Sequence, residues 1–227
     1  MTSSATYAFS QSNSDIVLGA LGRIKIRPTE IVTEHLRQAS RQLNMLLVEF
    51  ANKQPNLFSS ENQVVTLVAG TATYTLTART IMILIATYRT GSGTSQNDKV
   101  LWPVSTVEYQ SYPNKLTQAA PTVYWFDRQI TPQITFYPTP NAAELVELRC
   151  VRQIQDANLA SGETPDTPYR ALDALEAGLA YRLSRFYAPD LEQVRKADAA
   201  EAWAIFATQD TENVPVYITP LIGAYRA

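Results

Sequence analysis

Apolar side chains repeat with the period of an α-helix in two segments that lie far apart along the chain. The first segment follows Thr29 and carries, in alternating steps of four and three, Val32, Leu36, Ala39, Leu43, Leu46 and Phe50. The second follows Thr167 and carries Leu172, Leu175, Leu179, Leu183 and Phe186. Such a stripe makes one face of a helix apolar, and that face needs a packing partner. We therefore expect helices from both ends of the chain to pack together as a bundle.

Two further helices complete the expected bundle. One runs from Ser14, a candidate N-cap, to Gly22, a candidate C-terminal stop. The other lies nearer the C-terminus, where Asp190 and Gln193 resemble a capping box. The expected N-caps of the two longer helices are Thr29 and Thr167.

The middle of the chain has the pattern of β-strands. Two β-rich runs flank Ala69-Gly70-Thr71, which predicts a hairpin, and Ile81 to Tyr88 predicts a further strand. Two aromatic-rich runs meet at Thr131-Pro132, and the alternating segment Glu144 to Ile154 predicts the last strand. Ser105 to Tyr112 fits a short helix. Short strands joined by tight turns predict an antiparallel sheet.

Helices segregated from an antiparallel sheet define the α+β class. We expect residues 1–13 to form a flexible N-terminus, and residues 14–60 and 160–210 to form the helical bundle. Residues 61–159 are expected to form an antiparallel β-rich insertion, and residues 211–227 an extended C-terminal docking tail.

Charge and hydropathy narrow the function classes. Lys and Arg number 19 against 21 Asp and Glu, and the net charge of −2 does not favour tight nucleic-acid binding. Arg23, Lys25 and Arg27 occupy alternate positions, so an extended segment would place them on one side, within reach of DNA phosphates. The same segment also fits a solvated linker. The longest apolar run, Ile81 to Ala86, is strand-sized, so no membrane span is expected.

The residues that usually carry enzyme chemistry are few. His35 is the only histidine and Cys150 the only cysteine, which makes a histidine-based triad or a zinc site hard to build. Three carboxylates, Asp166, Asp173 and Glu176, lie near one predicted helix start, where acidic side chains complement the helix dipole. The sequence contains neither a phosphate-binding loop nor a dinucleotide motif. We therefore expect no catalytic residue, no metal and no cofactor.

The last segment, Val214 to Ala227, is unusually apolar for a chain end. Pro215 and Pro220 restrict it to an extended form, which lowers the ordering cost of binding. It either folds back on its own bundle or docks on another chain. The candidate anchors are Tyr217, Ile218, Leu221, Ile222 and Tyr225.

Four stretches together resemble one known family. They are SDIVLGALGRI, VTLVAGTATYTL, APTVYWFDRQITPQITFYPTPN and TPDTPYRALDALEAGLAYRLSRFYAPD. Their order and spacing resemble the head-to-tail adaptor (tail tubular or connector-ring) proteins of short-tailed bacteriophages, over roughly residues 12–220. One departure is Thr77, where the family often has proline.

The resemblance implies a structural virion protein rather than an enzyme. It implies a twelve-subunit ring that joins the capsid portal to the tail nozzle and extends the DNA channel for genome retention and ejection. Helices and C-terminal tail would dock on the portal, the sheet would face the tail, and DNA would pass without specific binding. The expected location is the neck of the virion, assembled in the host cytoplasm. The alternatives are a nucleic-acid-binding packaging or regulatory module and an enzyme of unrecognised type.

Overall fold

The computed structural model describes residues 8–53, 57–160 and 162–211. Within these ranges the chain forms five α-helices and seven β-strands. The helices are α1 Asn13–Arg23, α2 Thr33–Lys53, α3 Thr106–Ser111, α4 Leu172–Tyr187 and α5 Glu192–Gln209. The strands are β1 Ser60–Thr66, β2 Thr73–Thr75, β3 Thr80–Thr90, β4 Asn97–Pro103, β5 Val123–Asp127, β6 Gln133–Tyr137 and β7 Leu145–Arg152. The predicted α+β class is confirmed.

Helices from the two ends of the chain share one hydrophobic core. Helix α4 packs against α1, α2 and α5. The core takes Leu21 from α1, Phe50 from α2, Leu175 and Leu179 from α4, and Phe206 from α5. Small residues let the helices approach closely, since a Cβ added to Gly178 of α4 would lie 3.0 Å from the Leu46 side chain of α2. The central parts of the two predicted apolar stripes thus share one core, although the sheet separates them in sequence. The outer members Val32, Leu36 and Phe186 are exposed instead.

The helix starts differ from those predicted. Helix α1 is capped by Ser12 rather than Ser14, because the Ser12 hydroxyl accepts from the Asp15 amide at 3.1 Å while Asp15 accepts in return from the Ser12 amide. Thr29 lies inside a 3-10 turn, Pro28–Glu30, that precedes α2. Short 3-10 turns likewise precede α4 and α5, so neither Thr167 nor the Asp190–Gln193 pair caps a helix.

The seven strands form one curled sheet in the order β1-β7-β3-β4-β5-β6-β2. The predicted hairpin around Gly70 is wrong, since β1 and β2 lie at opposite ends of this order. The segment between β1 and β2 instead runs alongside the residues that precede β7. The Leu67 and Gly70 amides donate to the carbonyls of Glu144 and Pro140, each at 2.8 Å. Gly70 has a φ of 81°, a left-handed conformation that glycine adopts without strain.

One pairing in the sheet is parallel, which corrects the expectation of a purely antiparallel sheet. Strands β4 and β5 run in the same direction, with Trp102 opposite Val123 and Pro103 opposite Tyr124. Parallel neighbours need a long crossover connection, and the segment 104–122, which contains α3, provides it. The aromatic hairpin predicted around Thr131-Pro132 is present as β5 and β6.

The concave side of the sheet holds a second core, separate from the helical one. Leu148 of β7 lies beside Ala86 of β3, which lies beside Leu101 of β4, and all three are buried. Phe136 and Ile134 of β6 close the core from the other end of the sheet. The two cores give the molecule a helical part and a sheet part, each with its own exterior surface.

Candidate interaction surfaces

The five side chains expected to anchor the C-terminal tail lie outside the described residues. They are Tyr217, Ile218, Leu221, Ile222 and Tyr225. Their role in docking stays a prediction.

The basic segment near the end of α1 is not extended as the sequence pattern assumed. Arg23 belongs to α1 and binds two carboxylates of α4, with Nη2 2.7 Å from Asp173 and Nε 2.8 Å from Glu176. Lys25 has a left-handed φ of 68°. Lys25 and Arg27 are exposed, whereas Arg23 is partly buried, so the three do not present one basic side. Contact of these residues with DNA stays a prediction.

Asp166, one of the three carboxylates near the predicted start of α4, forms an ion pair with Arg152. Arg152 of β7 binds both carboxylate oxygens of Asp166, and the Gln155 amide donates to Asp166 at 3.1 Å. Burial opposes ionisation of Asp166, but the bonds to Arg152 and Gln155 outweigh it and lower the pKa of Asp166. Asp166 thus ties the last strand to the segment that leads into α4.

His35 and Cys150 are also placed in packing environments. The His35 ring lies edge-on to the Tyr187 ring, with 4.7 Å between centroids, and its Nδ1 accepts from the Val32 amide at 3.4 Å. Cys150 is fully buried in the sheet core. Burial raises the pKa of its thiol to about 12, so the nucleophilic thiolate is not formed near neutral pH.

In the part of the chain that the structure describes, no group of three His, Cys, Asp or Glu side chains could hold a metal ion. No helix in that part is long and apolar enough to cross a membrane.

The convex face of β1, β7, β3 and β4 carries a cluster of exposed apolar side chains, which we call the outer sheet face. The register places Val64 beside Glu147, Glu147 beside Thr87, and Thr87 beside Val100. Trp102 and Ile85 follow in the next row, on the side opposite the buried pair Ala86–Leu101. The exposed fractions are 69% for Trp102, 61% for Val64, 54% for Ile85 and 50% for Val100. A large exposed aromatic among aliphatic side chains is typical of a protein-binding surface.

The charged side chains on the outer sheet face neutralise one another. Arg89 binds Asp98 through two parallel hydrogen bonds of 2.9 Å and lies 2.6 Å from Glu147. The bond to Arg89 lowers the pKa of Asp98, and the same bonds raise the pKa of Arg89. A face with paired charges suits a protein partner better than a polyanion.

A second candidate surface is a groove of about 260 Å³ between α2, α4 and α5, which we call the helix groove. Its apolar wall contains Phe50 and Trp203, whose ring centroids lie 4.4 Å apart. Gly178 of α4 and Ala199 of α5 also line the groove. Helix α5 is only lightly covered, since among its residues Ala202 and Phe206 alone are buried.

The rim of the helix groove is a chain of paired charges. Glu49 of α2 lies 2.8 Å from Lys53 and 2.5 Å from Arg182 of α4. Burial opposes ionisation of Glu49, but its bonds to Lys53 and Arg182 outweigh burial and lower its pKa. The Lys53 ammonium also lies 4.5 Å from the centre of the Trp203 ring. The groove is thus apolar inside and charged at its edge, as protein-binding sites commonly are.

Sequence reasoning missed both surfaces. Val100, Leu101 and Trp102 form a continuous apolar run, so the sequence carries no signal that Leu101 is buried while Val100 and Trp102 are exposed. The helix groove gives no signal either, because it depends on the spacing of three helices.

Two exposed apolar surfaces with internally paired charges, on a mixed α+β frame, define a protein suited to binding other proteins. A family model of the SU10 adaptor protein matches residues 13–219. The chain therefore belongs to the SU10 adaptor protein family. Membership supports a structural adaptor of a bacteriophage, in the virion neck with portal and tail proteins, and such families are typically not enzymes. No curated protein matches the sequence.

Proposed function

We propose that this protein is a structural virion protein of a short-tailed bacteriophage that forms a ring between the capsid portal and the tail. The ring extends the DNA channel, and it serves genome retention and ejection. The family match over residues 13–219 carries the proposal. A ring of twelve copies follows from the resemblance to head-to-tail adaptors.

The helix groove and the outer sheet face support binding of two different partners. The helices of residues 14–60 and 160–210 act as one bundle and dock on the portal together with the tail, residues 211–227. The helix groove gives the bundle an apolar site for that contact. The β-rich insertion, residues 61–159, faces the tail, and its outer sheet face binds a neighbouring subunit or a tail protein through Trp102 and Ile85.

The pairing of basic side chains supports a channel that lets DNA pass without binding it tightly. Among the described residues, nine arginines lie within 4 Å of a carboxylate: Arg23, Arg37, Arg79, Arg89, Arg152, Arg170, Arg182, Arg185 and Arg195. Such pairs reduce the positive charge available to phosphates, and phosphate contacts dominate non-specific DNA affinity. A dissociation constant for duplex DNA in the micromolar range or tighter at physiological salt would instead favour the nucleic-acid-binding module. In that case, replacing Lys25 and Arg27, which are exposed, should weaken binding.

The deciding experiment is the mass of the purified protein, alone and mixed with the portal protein of the same virus. We expect a stoichiometric ring of this protein on the portal. A protein that ignores the portal at every ratio would end the adaptor proposal for this chain. Deleting residues 214–227 should leave a folded protein that no longer attaches, whereas unfolding of the deletion variant would make the tail part of the core.

A further inference from the structure

The edge of the sheet at β1 is open. Strand β1 pairs with β7 on one side and is the last strand in the order, so nothing in residues 8–53, 57–160 and 162–211 pairs with its other side as a strand. Val65 packs against the sheet core but is only partly buried, which indicates that the wall of the sheet is incomplete beside it. A row of unpaired backbone amides and carbonyls is a template for an added strand.

The described chain ends beside the start of this edge. Asp210 follows α5, and one of its carboxylate oxygens accepts from the Leu57 amide at 3.2 Å. Its other oxygen lies 3.0 Å from Nη2 of Arg170, so the end of α5 is held on two sides. Leu57 leads through one short turn into β1, which begins at Ser60. Residues 212–227 therefore start near the first residues of β1, with a reach of about 50 Å when extended, whereas β1 spans about 23 Å.

We propose that residues 216–219 of the same chain add to the free edge of β1 as a parallel strand in the free subunit. Val216, Tyr217, Ile218 and Thr219 all belong to the types enriched in strands. The prolines on either side, Pro215 and Pro220, lack an amide donor and are tolerated in an edge strand, which is what the added segment becomes.

The register follows from the contact between Leu57 and Asp210. Counting equal numbers of residues from it places Tyr217 beside Val64 and Ile218 beside Val65. Val64 lies on the outer sheet face and is exposed, whereas Val65 lies on the core side. Ile218 therefore covers the incomplete wall beside Val65, and Pro220 falls just beyond the end of β1.

The position of Asp210 favours the edge of β1 over the helix groove, and the covalent link favours the segment of the same chain over that of a second subunit. To enter the helix groove, the segment would have to reverse its direction at the end of α5, since Trp203 precedes Asp210 by about 10 Å along the helix. A tether to the same chain also gives a local concentration in the millimolar range for a short flexible linker. The inference goes beyond the proposed function, because it concerns the subunit before any portal contact. The added strand would prevent two subunits from pairing through their β1 edges.

Cysteine cross-linking in the full chain tests the proposal. The variant Val64→Cys/Tyr217→Cys places two thiols on neighbouring positions, and the native Cys150 stays unreactive because it is buried with a raised pKa. The control Val100→Cys/Tyr217→Cys uses another exposed valine, on β4, which is separated from β1 by β7 and β3. Under mild oxidation in dilute solution we expect the Val64 pair to form an intrachain disulfide at least ten times faster than the Val100 pair. Equal rates would overturn the proposal, and a disulfide-linked dimer would replace the same-chain segment by that of a second copy.

Hydrogen exchange gives an independent measure without new cysteines. We expect Ile218→Asp to speed amide exchange in residues 60–66 at least tenfold, whereas Ile222→Asp, beyond the added strand, leaves it unchanged. Unchanged exchange in both variants would contradict the added strand. The portal is absent from both experiments, so their failure leaves the adaptor proposal standing, and failure to bind the portal leaves this inference standing.

Discussion

Asp210 and Arg170 form an ion pair in which the carboxylate is fully buried and the guanidinium is one-third exposed. The pair joins the end of α5 to the turn before α4, and Asp210 also holds Leu57 through its amide. We expect Asp210→Ala to lower the free energy of unfolding by about 2 kcal/mol, the usual worth of hydrogen bonds to a charged group. Arg170→Ala should cost about as much, because it leaves a buried carboxylate without its cation.

Denaturant unfolding of both variants and of the double variant checks this pair. The double variant should lose clearly less than the sum of the two single losses, since both remove one interaction. The control is Arg185→Ala, which breaks the exposed pair between Arg185 and Glu192 and should cost less than about 1 kcal/mol. Additive losses at Asp210 and Arg170 would show that the pair contributes nothing of its own.

The capping box at the start of α1 distinguishes Ser12, the N-cap, from Ser14, two positions further along the chain. Ser12→Ala removes the acceptor for the Asp15 amide and should destabilise the protein by about 1 kcal/mol. Ser14→Ala removes only a 3.3 Å bond to the Leu159 carbonyl and should cost less. Thermal unfolding of the two variants side by side decides the matter; a larger loss for Ser14 would move the cap to the position that the sequence pattern favours.

The lowered pKa of Asp166 makes part of the stability pH-dependent. Its folded-state pKa lies below the ordinary value of 3.8, so the stabilisation is fully present above about pH 4 and is lost as the pH falls through the folded-state pKa. We expect Asp166→Asn to cost about 1 kcal/mol at neutral pH. That difference from the native protein should shrink as the pH falls below 4. Asp173→Asn, at an exposed carboxylate, provides the control, and urea unfolding at pH 7, 5 and 3 measures both. A difference that stays constant with pH would contradict the assignment.

Substitution of Trp102 should weaken assembly without affecting folding. Because the side chain is 69% exposed, Trp102→Ala should change the free energy of unfolding by no more than about 0.5 kcal/mol. The same change should weaken association with neighbouring subunits or tail proteins at least about tenfold, as truncation of a central aromatic does in binding sites. Val107→Ala on α3, also exposed, is the matched control. Sedimentation of assemblies and unfolding of the free subunit give the two readouts, and equal assembly by both variants would remove the outer sheet face from the interface.

The fold class and most elements could be predicted from periodicity alone. The stripes on α2 and α4 identify the two helices that meet in the core, and Thr131-Pro132 marks the turn between β5 and β6. These signals are local, since the period of a helix or the residues of a tight turn are set within a few positions.

What could not be predicted depends on long-range pairing. Whether β1 pairs with β2 or with β7 is decided by the burial that the whole sheet achieves, not by Gly70 between them. Arg23 binds two carboxylates about 150 positions away, which no local pattern can indicate. Its alternation with Lys25 and Arg27 therefore predicted a shared basic side that the folded segment does not have. The N-caps predicted for α2, α4 and α5 were wrong for a related reason. A short 3-10 turn precedes each of these helices, so each helix starts beyond the predicted capping residue.

The shared helical core sets an order of events during synthesis. Helices α1 and α2 leave the ribosome first, but α4, against which both pack, follows α1 by roughly 10–30 s at about 5–20 residues per second. During that interval Leu21, Leu43 and Phe50 lack the α4 side chains that complete their core, and all seven strands are synthesised before α4. The nascent chain therefore exposes the apolar faces of α1 and α2 until α4 has been synthesised.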